Sequence, residues 1–162
     1  MTELRQWTHI GALAEAAFAP PFIGAVLLGS FARGDADALS DVDFVVFAAE
    51  GSFAEAWESR HSLHAQDAYC WDYPRPPGDR DVAAHRWLTQ DFVLFDGLLA
   101  TPSGTRIAEP VQILAGGEAL AGQLVKRDPI TAEEREQRKD EIELHPVERL
   151  YGELKLALRA AR

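Results

Sequence analysis

Residues 23–47 read IGAVLLGSFARGDADALSDVDFVVF, and the rest of the chain is arranged around them. An apolar run ends at Gly29-Ser30, a polar glycine-containing segment follows, and a second apolar run opens with Asp41-Val42-Asp43. Ten residues separate Ser30 from Asp41. Side chains alternate along a strand, so Asp41 and Asp43 project from one face. Two carboxylates held side by side repel unless a cation lies between them. Oxygen-only ligands favour a hard divalent ion such as Mg²⁺. A tight turn between a strand and a short helix also exposes backbone N–H groups to an anion. Gly29 leaves room for a phosphate, Ser30 adds a hydroxyl donor, and Arg33 is a cation near enough to neutralise further phosphate charge.

The spacing Gly-Ser, about ten residues, Asp-x-Asp resembles the signature of the DNA polymerase β-like nucleotidyltransferase superfamily. The nearest likeness is to its small bacterial members, the antibiotic nucleotidyltransferases and minimal nucleotidyltransferases. The match is tight over residues 29–43 and loose over roughly the first hundred residues. The resemblance implies a nucleoside triphosphate as co-substrate, held by Ser30, and Mg²⁺, expected as two ions, held by Asp41, Asp43 and a third carboxylate from a later strand. Residues 91–100, DFVLFDGLLA, are the only later strong strand pattern carrying acids. Asp96 lies inside the apolar run, where a carboxylate is costly unless paired or metal-bound, and is preferred on that burial argument. Asp91, at the start of the run, is the fallback.

Around that stretch the pattern is of an α/β (α+β) domain, a small mixed sheet flanked by helices. Residues 13–19 read as a helix ended by Pro20-Pro21, residues 22–28 as a buried strand, and residues 31–34 as a short helix. Residues 42–47 form a second strand, adjacent to the first. Residues 52–65 read as a helix capped at Ser52, with Phe53, Trp57 and Leu63 towards the core. Strands are expected at 67–73, 83–88, 92–100 and 109–114, with a loop at 74–81 and a turn at 101–105. Thr131 and Glu134 make a capping box, Pro146 interrupts the helical run, and Val147, Leu150, Tyr151, Leu154 and Leu158 repeat on one helical face. The expected division is a nucleotidyltransferase domain over 1–127 and a helical C-terminal tail over 128–162. The tail packs on the domain, or serves a homodimer or partner.

Composition bounds the function. The 162 residues, 47% hydrophobic and 26% charged, suit one soluble domain. A formal charge of −10 and no Lys/Arg cluster argue against nucleic acid as the partner. The longest apolar stretch, 16–28, is too short to span a membrane, and the N-terminus has no signal pattern, so a cytoplasmic enzyme is expected. Cys70 is the sole cysteine, read as a small residue in or near the core, with neither a disulfide framework nor a thiolate zinc site. His61 and His64 are three apart on a predicted helix but show no third ligand, so they are read as surface histidines. His85, Trp57, Trp71 and Tyr73 are read as structural. Three functions fit: transfer of a nucleoside monophosphate to a small-molecule hydroxyl, AMP transfer to a toxin by an antitoxin, or a non-catalytic nucleotide-binding module.

Overall fold

A computed structural model describes residues 4–72, 81–108, 110–127, 131 and 146–161. The chain divides into two compact units, Met1–Arg127 and Asp128–Arg162. The first unit is built on a six-stranded mixed sheet. Its strands are β1 (Phe22–Leu27), β2 (Val42–Ala48), β3 (Tyr69–Asp72), β4 (Val82–Leu88), β5 (Leu94–Ala100) and β7 (Gln112–Ala115), in the order β3-β4-β5-β2-β1-β7. Only β2 and β5 run parallel; every other neighbouring pair is antiparallel. A two-stranded parallel sheet joins β6 (Ile107–Ala108) to β8 (Lys126–Arg127).

Both faces of the large sheet are covered, which explains the near-continuous apolar runs of β1 and β2. Val42, Phe44 and Val46 face one side, with Leu27, Phe95, Leu99 and Trp87. Helices α1 (Gln6–Ala16), α2 (Gly29–Arg33) and α3 (Phe53–Ser59) supply Ile10, Leu13, Phe31 and Phe53 to that core. Val45 and Phe47 face the other side with Val26, Ala100, Ile107 and Leu120, the last from α4 (Gly117–Ala121). The larger core is aromatic at its centre: Trp87 stacks on Phe95 at 4.7 Å and tilts against Phe44 at 4.9 Å. Each such pair is worth about 0.5–1.5 kcal/mol beyond its burial. Gly97 lies directly under Phe44, whose ring occupies the space a β-carbon would need.

Several elements differ from expectation. Helix α1 begins at Gln6 rather than Leu13, because its buried face is Gln6, Ile10 and Leu13, and a polar first member hides the period. The helix expected over 52–65 ends at Ser59 and tightens into a 3₁₀ turn over Arg60–Leu63; Ser52 stands at its N-cap without a side-chain hydrogen bond. Phe53 and Leu63 are buried as expected, while Trp57 is half-buried. Helix α4 and the small sheet were not expected from the pattern. Residues 74–80 of the loop expected at 74–81, Tyr73, Glu109 and Glu134 lie outside the described residues.

In the second unit, helix α5 spans Pro146–Ala160. Pro146 is the first residue of this helix, as suits a residue without an N–H, and the run expected before it lies outside the described residues. Leu150, Leu154, Leu156 and Leu158 are exposed. No helix among the described residues is long and apolar enough to cross a membrane.

Candidate active site

The turn after β1 and the start of β2 are tied together by their backbones. The Leu28 N–H donates to the Asp43 carbonyl at 2.9 Å, and α2 starts at the next residue. Gly29 has φ +58°, a left-handed value that suits glycine. A β-carbon at Gly29 would strike the Asp43 carboxylate, overlapping Oδ2 and reaching Cγ at 2.9 Å. Glycine is therefore required here by the carboxylate itself as well as by the turn. Ser30 follows in the first turn of α2, half-buried, and its carbonyl accepts the Asp35 N–H at 3.1 Å. Arg33 stands exposed in the last turn and donates through Nε to Asp35 at 3.2 Å, so its nearest carboxylate in this structure is a local one.

The connection from α2 to β2 is a defined turn. Asp37 Oδ1 accepts the Leu39 N–H at 2.9 Å and the Ser40 hydroxyl at 3.0 Å, while Ser40 Oγ accepts the Asp37 N–H at 2.9 Å. Gln6, only 1% exposed, reaches from α1 and donates Nε2 to the carbonyls of Asp37 and Ser40 at 3.1 and 3.0 Å. This buried amide fixes the loop that delivers Asp41 and Asp43. Reading the sequence missed it: an isolated glutamine near the N-terminus carries no motif, and its partners lie more than thirty residues away.

Asp43 on β2 is registered against Asp96 on β5, and Asp96 against Arg86 on β4. Residues paired across neighbouring strands share a face, so these three side chains form a row, with strands about 4.8 Å apart. That spacing lets one divalent ion touch carboxylates from both strands. Asp96 accepts a close hydrogen bond from Arg86 Nε. Its side chain is 40% exposed, so the burial argument for choosing it does not hold as stated; its position opposite Asp43 is the stronger reason. Arg86 was not singled out as a site residue, because nothing local in the sequence foretells a cross-strand partner.

Asp91 lies before β5, on the turn, and is engaged elsewhere. It bonds His9 Nε2 of α1 at 2.9 Å and the Thr89 hydroxyl at 2.7 Å. Partial desolvation tends to raise its pKa, but the Thr89 and His9 hydrogen bonds outweigh that and hold the carboxyl below its ordinary range.

The three histidines do not behave as separate residues. His61, on the surface, and His64, half-buried, meet the buried His85, and their nitrogens lie within 4.8 Å of one another. The third partner that the sequence did not reveal is thus on β4. Cys70 is half-buried on β3, with Sγ 3.8 Å from His61 Nδ1.

Residues 18–95 match the family model described as a nucleotidyltransferase domain. No curated protein matches the sequence. The matched segment contains the glycine-serine turn, Asp41, Asp43, Arg86 and the opening of β5, and ends one residue before Asp96. Residues 18–95 therefore form a nucleotidyltransferase domain matching the DNA polymerase β-like superfamily, and that domain supports a transferase of nucleotidyl groups.

Proposed function

We propose that the protein transfers a nucleoside monophosphate from a nucleoside triphosphate to a hydroxyl of a small, antibiotic-like acceptor, with Mg²⁺ and release of pyrophosphate. The observation that carries this reading is the register of Asp43 against Asp96, with the Gly29 backbone packed on the Asp43 carboxylate. The donor set fits a hard cation: Asp41, Asp43 and Asp96 offer only oxygen, and the Asp43 carboxylate lies against Gly29, where any β-carbon would displace it. Mg²⁺ bound by these carboxylates, in two ions, would supply Lewis-acid charge to the acceptor oxygen and the leaving pyrophosphate.

The chain's own residues would act as follows. Ser30 and the Gly29 turn hold the triphosphate, with Arg33 released from Asp35 to meet its charge. Asp41 and Asp43, fixed by the Asp37–Ser40 turn, orient the α-phosphate. The acceptor oxygen forms the new bond to the α-phosphorus while the bond to the bridging oxygen of pyrophosphate breaks. Asp96 takes the acceptor's proton, and Arg86 keeps that carboxylate in place. A cytoplasmic setting, where triphosphate is supplied, goes with this chemistry.

The test is incubation with labelled triphosphates and an acceptor library, with and without Mg²⁺. Label should appear on a small-molecule hydroxyl with wild type and not with Asp43→Ala; equal turnover by the two proteins would reject the reading. A second reading, AMP transfer to a protein partner as in an antitoxin, is favoured by the exposed leucines of α5. Mass spectrometry after co-expression with the neighbouring gene product separates the two, by the presence or absence of an added AMP. Failure to bind triphosphate and Mg²⁺ in calorimetry would leave only a non-catalytic interaction module.

A further inference from the structure

His85 and Arg86 are consecutive on β4, so they point to opposite faces of the sheet. Arg86 joins the carboxylate row; His85 faces the aromatic core side, 5.3 Å from the ring of Trp87. There His85 is 1% exposed. Its Nδ1 is 2.6 Å from Asp72 Oδ1, while its Nε2 is buried without a hydrogen-bond partner. A buried ring nitrogen left without a partner has lost its water with nothing in exchange, so this atom calls for an occupant.

The tautomers say what kind. An ionised carboxylate only accepts, so His85 carries its proton on Nδ1 and a lone pair on Nε2. His64 Nδ1 lies 2.9 Å from the carbonyl of Ala65, another pure acceptor, which likewise leaves the lone pair on Nε2. That atom is 3.4 Å from His61 Nδ1, which in turn is 3.8 Å from Cys70 Sγ. Tetrahedral zinc with bonds of about 2.05 Å to nitrogen and 2.3 Å to sulfur has edges of about 3.3 Å (N to N) and 3.6 Å (N to S). Outside the cluster, Asp72 also accepts from Arg60 Nε at 3.0 Å, making the carboxylate–histidine relay that orients metal-bound imidazoles.

We propose that the three-histidine cluster of His61, His64 and His85 holds a structural Zn²⁺, with Cys70, whose Sγ approaches the cluster at His61, turning in as the fourth ligand, and with Asp72 and Arg60 positioning His85. Four protein ligands leave no open coordination position, which marks a structural rather than a catalytic ion. The ion would clip the Arg60–Leu63 turn to strands β3 and β4. Its nitrogen and sulfur donors suit zinc, whereas the oxygen-only set on the other face suits Mg²⁺.

The test is spectroscopic and independent of transferase activity. The full-length protein, stripped with a chelator and kept reduced, is titrated with Co²⁺ and then with Zn²⁺. One equivalent of Co²⁺ should give the intense visible bands of a tetrahedral ion and a near-ultraviolet thiolate band, both erased by Zn²⁺. His61→Ala, an exposed position that circular dichroism can show to be folded, should weaken binding by about tenfold or more. Cys70→Ser should abolish the thiolate band, and Asp43→Asn should leave the spectrum unchanged. Octahedral or absent bands in wild type, a thiolate band surviving in Cys70→Ser, or loss of the bands in Asp43→Asn would each overturn the site.

Discussion

Asp43 is touched from three directions: its backbone by Leu28, its carboxylate by the Gly29 turn, and its register partner Asp96 across the parallel pair. Gly29→Ala is therefore expected to act twice. The left-handed φ costs a β-carbon about 1–2 kcal/mol, and the new methyl displaces the carboxylate. A lowered melting temperature together with lost binding of Mg²⁺ and triphosphate is the expected pair of results; an unchanged titration in calorimetry would show that the carboxylate does not bind the complex. The choice between Asp96 and Asp91 has a direct comparison. Asp96→Asn should lower the transfer rate by about a hundredfold or more, as removal of a catalytic base or metal ligand does. Asp91→Asn should leave the rate near wild type and cost under about 1 kcal/mol of stability in urea titrations, the usual worth of an exposed pair. Its contribution has a pH sign. The depressed pKa of Asp91 means its stabilisation is present above the ordinary carboxylate range and fades as pH falls through the folded value. Gly29, Ser30, Asp41 and Asp43 were legible because fifteen consecutive residues contain them all. Arg86 and Gln6 were not, because each acts through a partner distant in sequence.

Two elements hold the site's geometry, and each rests on one residue that looks unremarkable in sequence. The loop between α2 and β2 depends on Gln6, whose amide donates to the part-buried carbonyl of Asp37 and the buried carbonyl of Ser40. Gln6→Ala would take the donor from the Ser40 carbonyl, while the Asp37 carbonyl keeps the Ser40 N–H at 3.0 Å, and is expected to cost about 1–3 kcal/mol. Gln6→Leu, which restores volume without the donor, should cost a similar amount; stability equal to wild type in that variant would mean the loop holds itself through Asp37 and Ser40. The parallel pair of β2 and β5 depends on Gly97 under the Phe44 ring. Gly97→Ala would push that ring into the stack with Trp87 and Phe95, an overpacking expected to cost about 1–3 kcal/mol in urea unfolding. The strands themselves were readable from their apolar runs and the polar segments between them. The start of α1 was not, because tertiary burial of a glutamine breaks the apolar period, and the short α4 and β6–β8 pieces have too few residues to show any period.

At the scale of the whole molecule the two proposed metal sites draw on opposite faces of one sheet, and helix α5 lies in the second unit. Every residue proposed to handle triphosphate falls in Met1–Arg127. The acidic balance of −10 makes a cationic or neutral acceptor more favourable than a polyanion, yet it does not choose between a small molecule and a protein. Helix α5 can make that choice. Leu150, Leu154 and Leu158 are exposed at intervals of four, a spacing that puts them along one side, and their replacement should not disturb the first unit. The triple variant Leu150→Ser, Leu154→Ser, Leu158→Ser is expected to bind Mg²⁺ and triphosphate as wild type does. If the acceptor is a small molecule, its transfer rate stays within about twofold of wild type, because exposed substitutions change little. If the acceptor is a protein seated on this helix, transfer to it falls by at least about tenfold, since losing one central apolar anchor already costs more than 1 kcal/mol of binding. Measuring labelled transfer to a small hydroxyl acceptor and to the co-expressed neighbouring protein, with the same two enzyme preparations, assigns the acceptor class by which of the two rates moves.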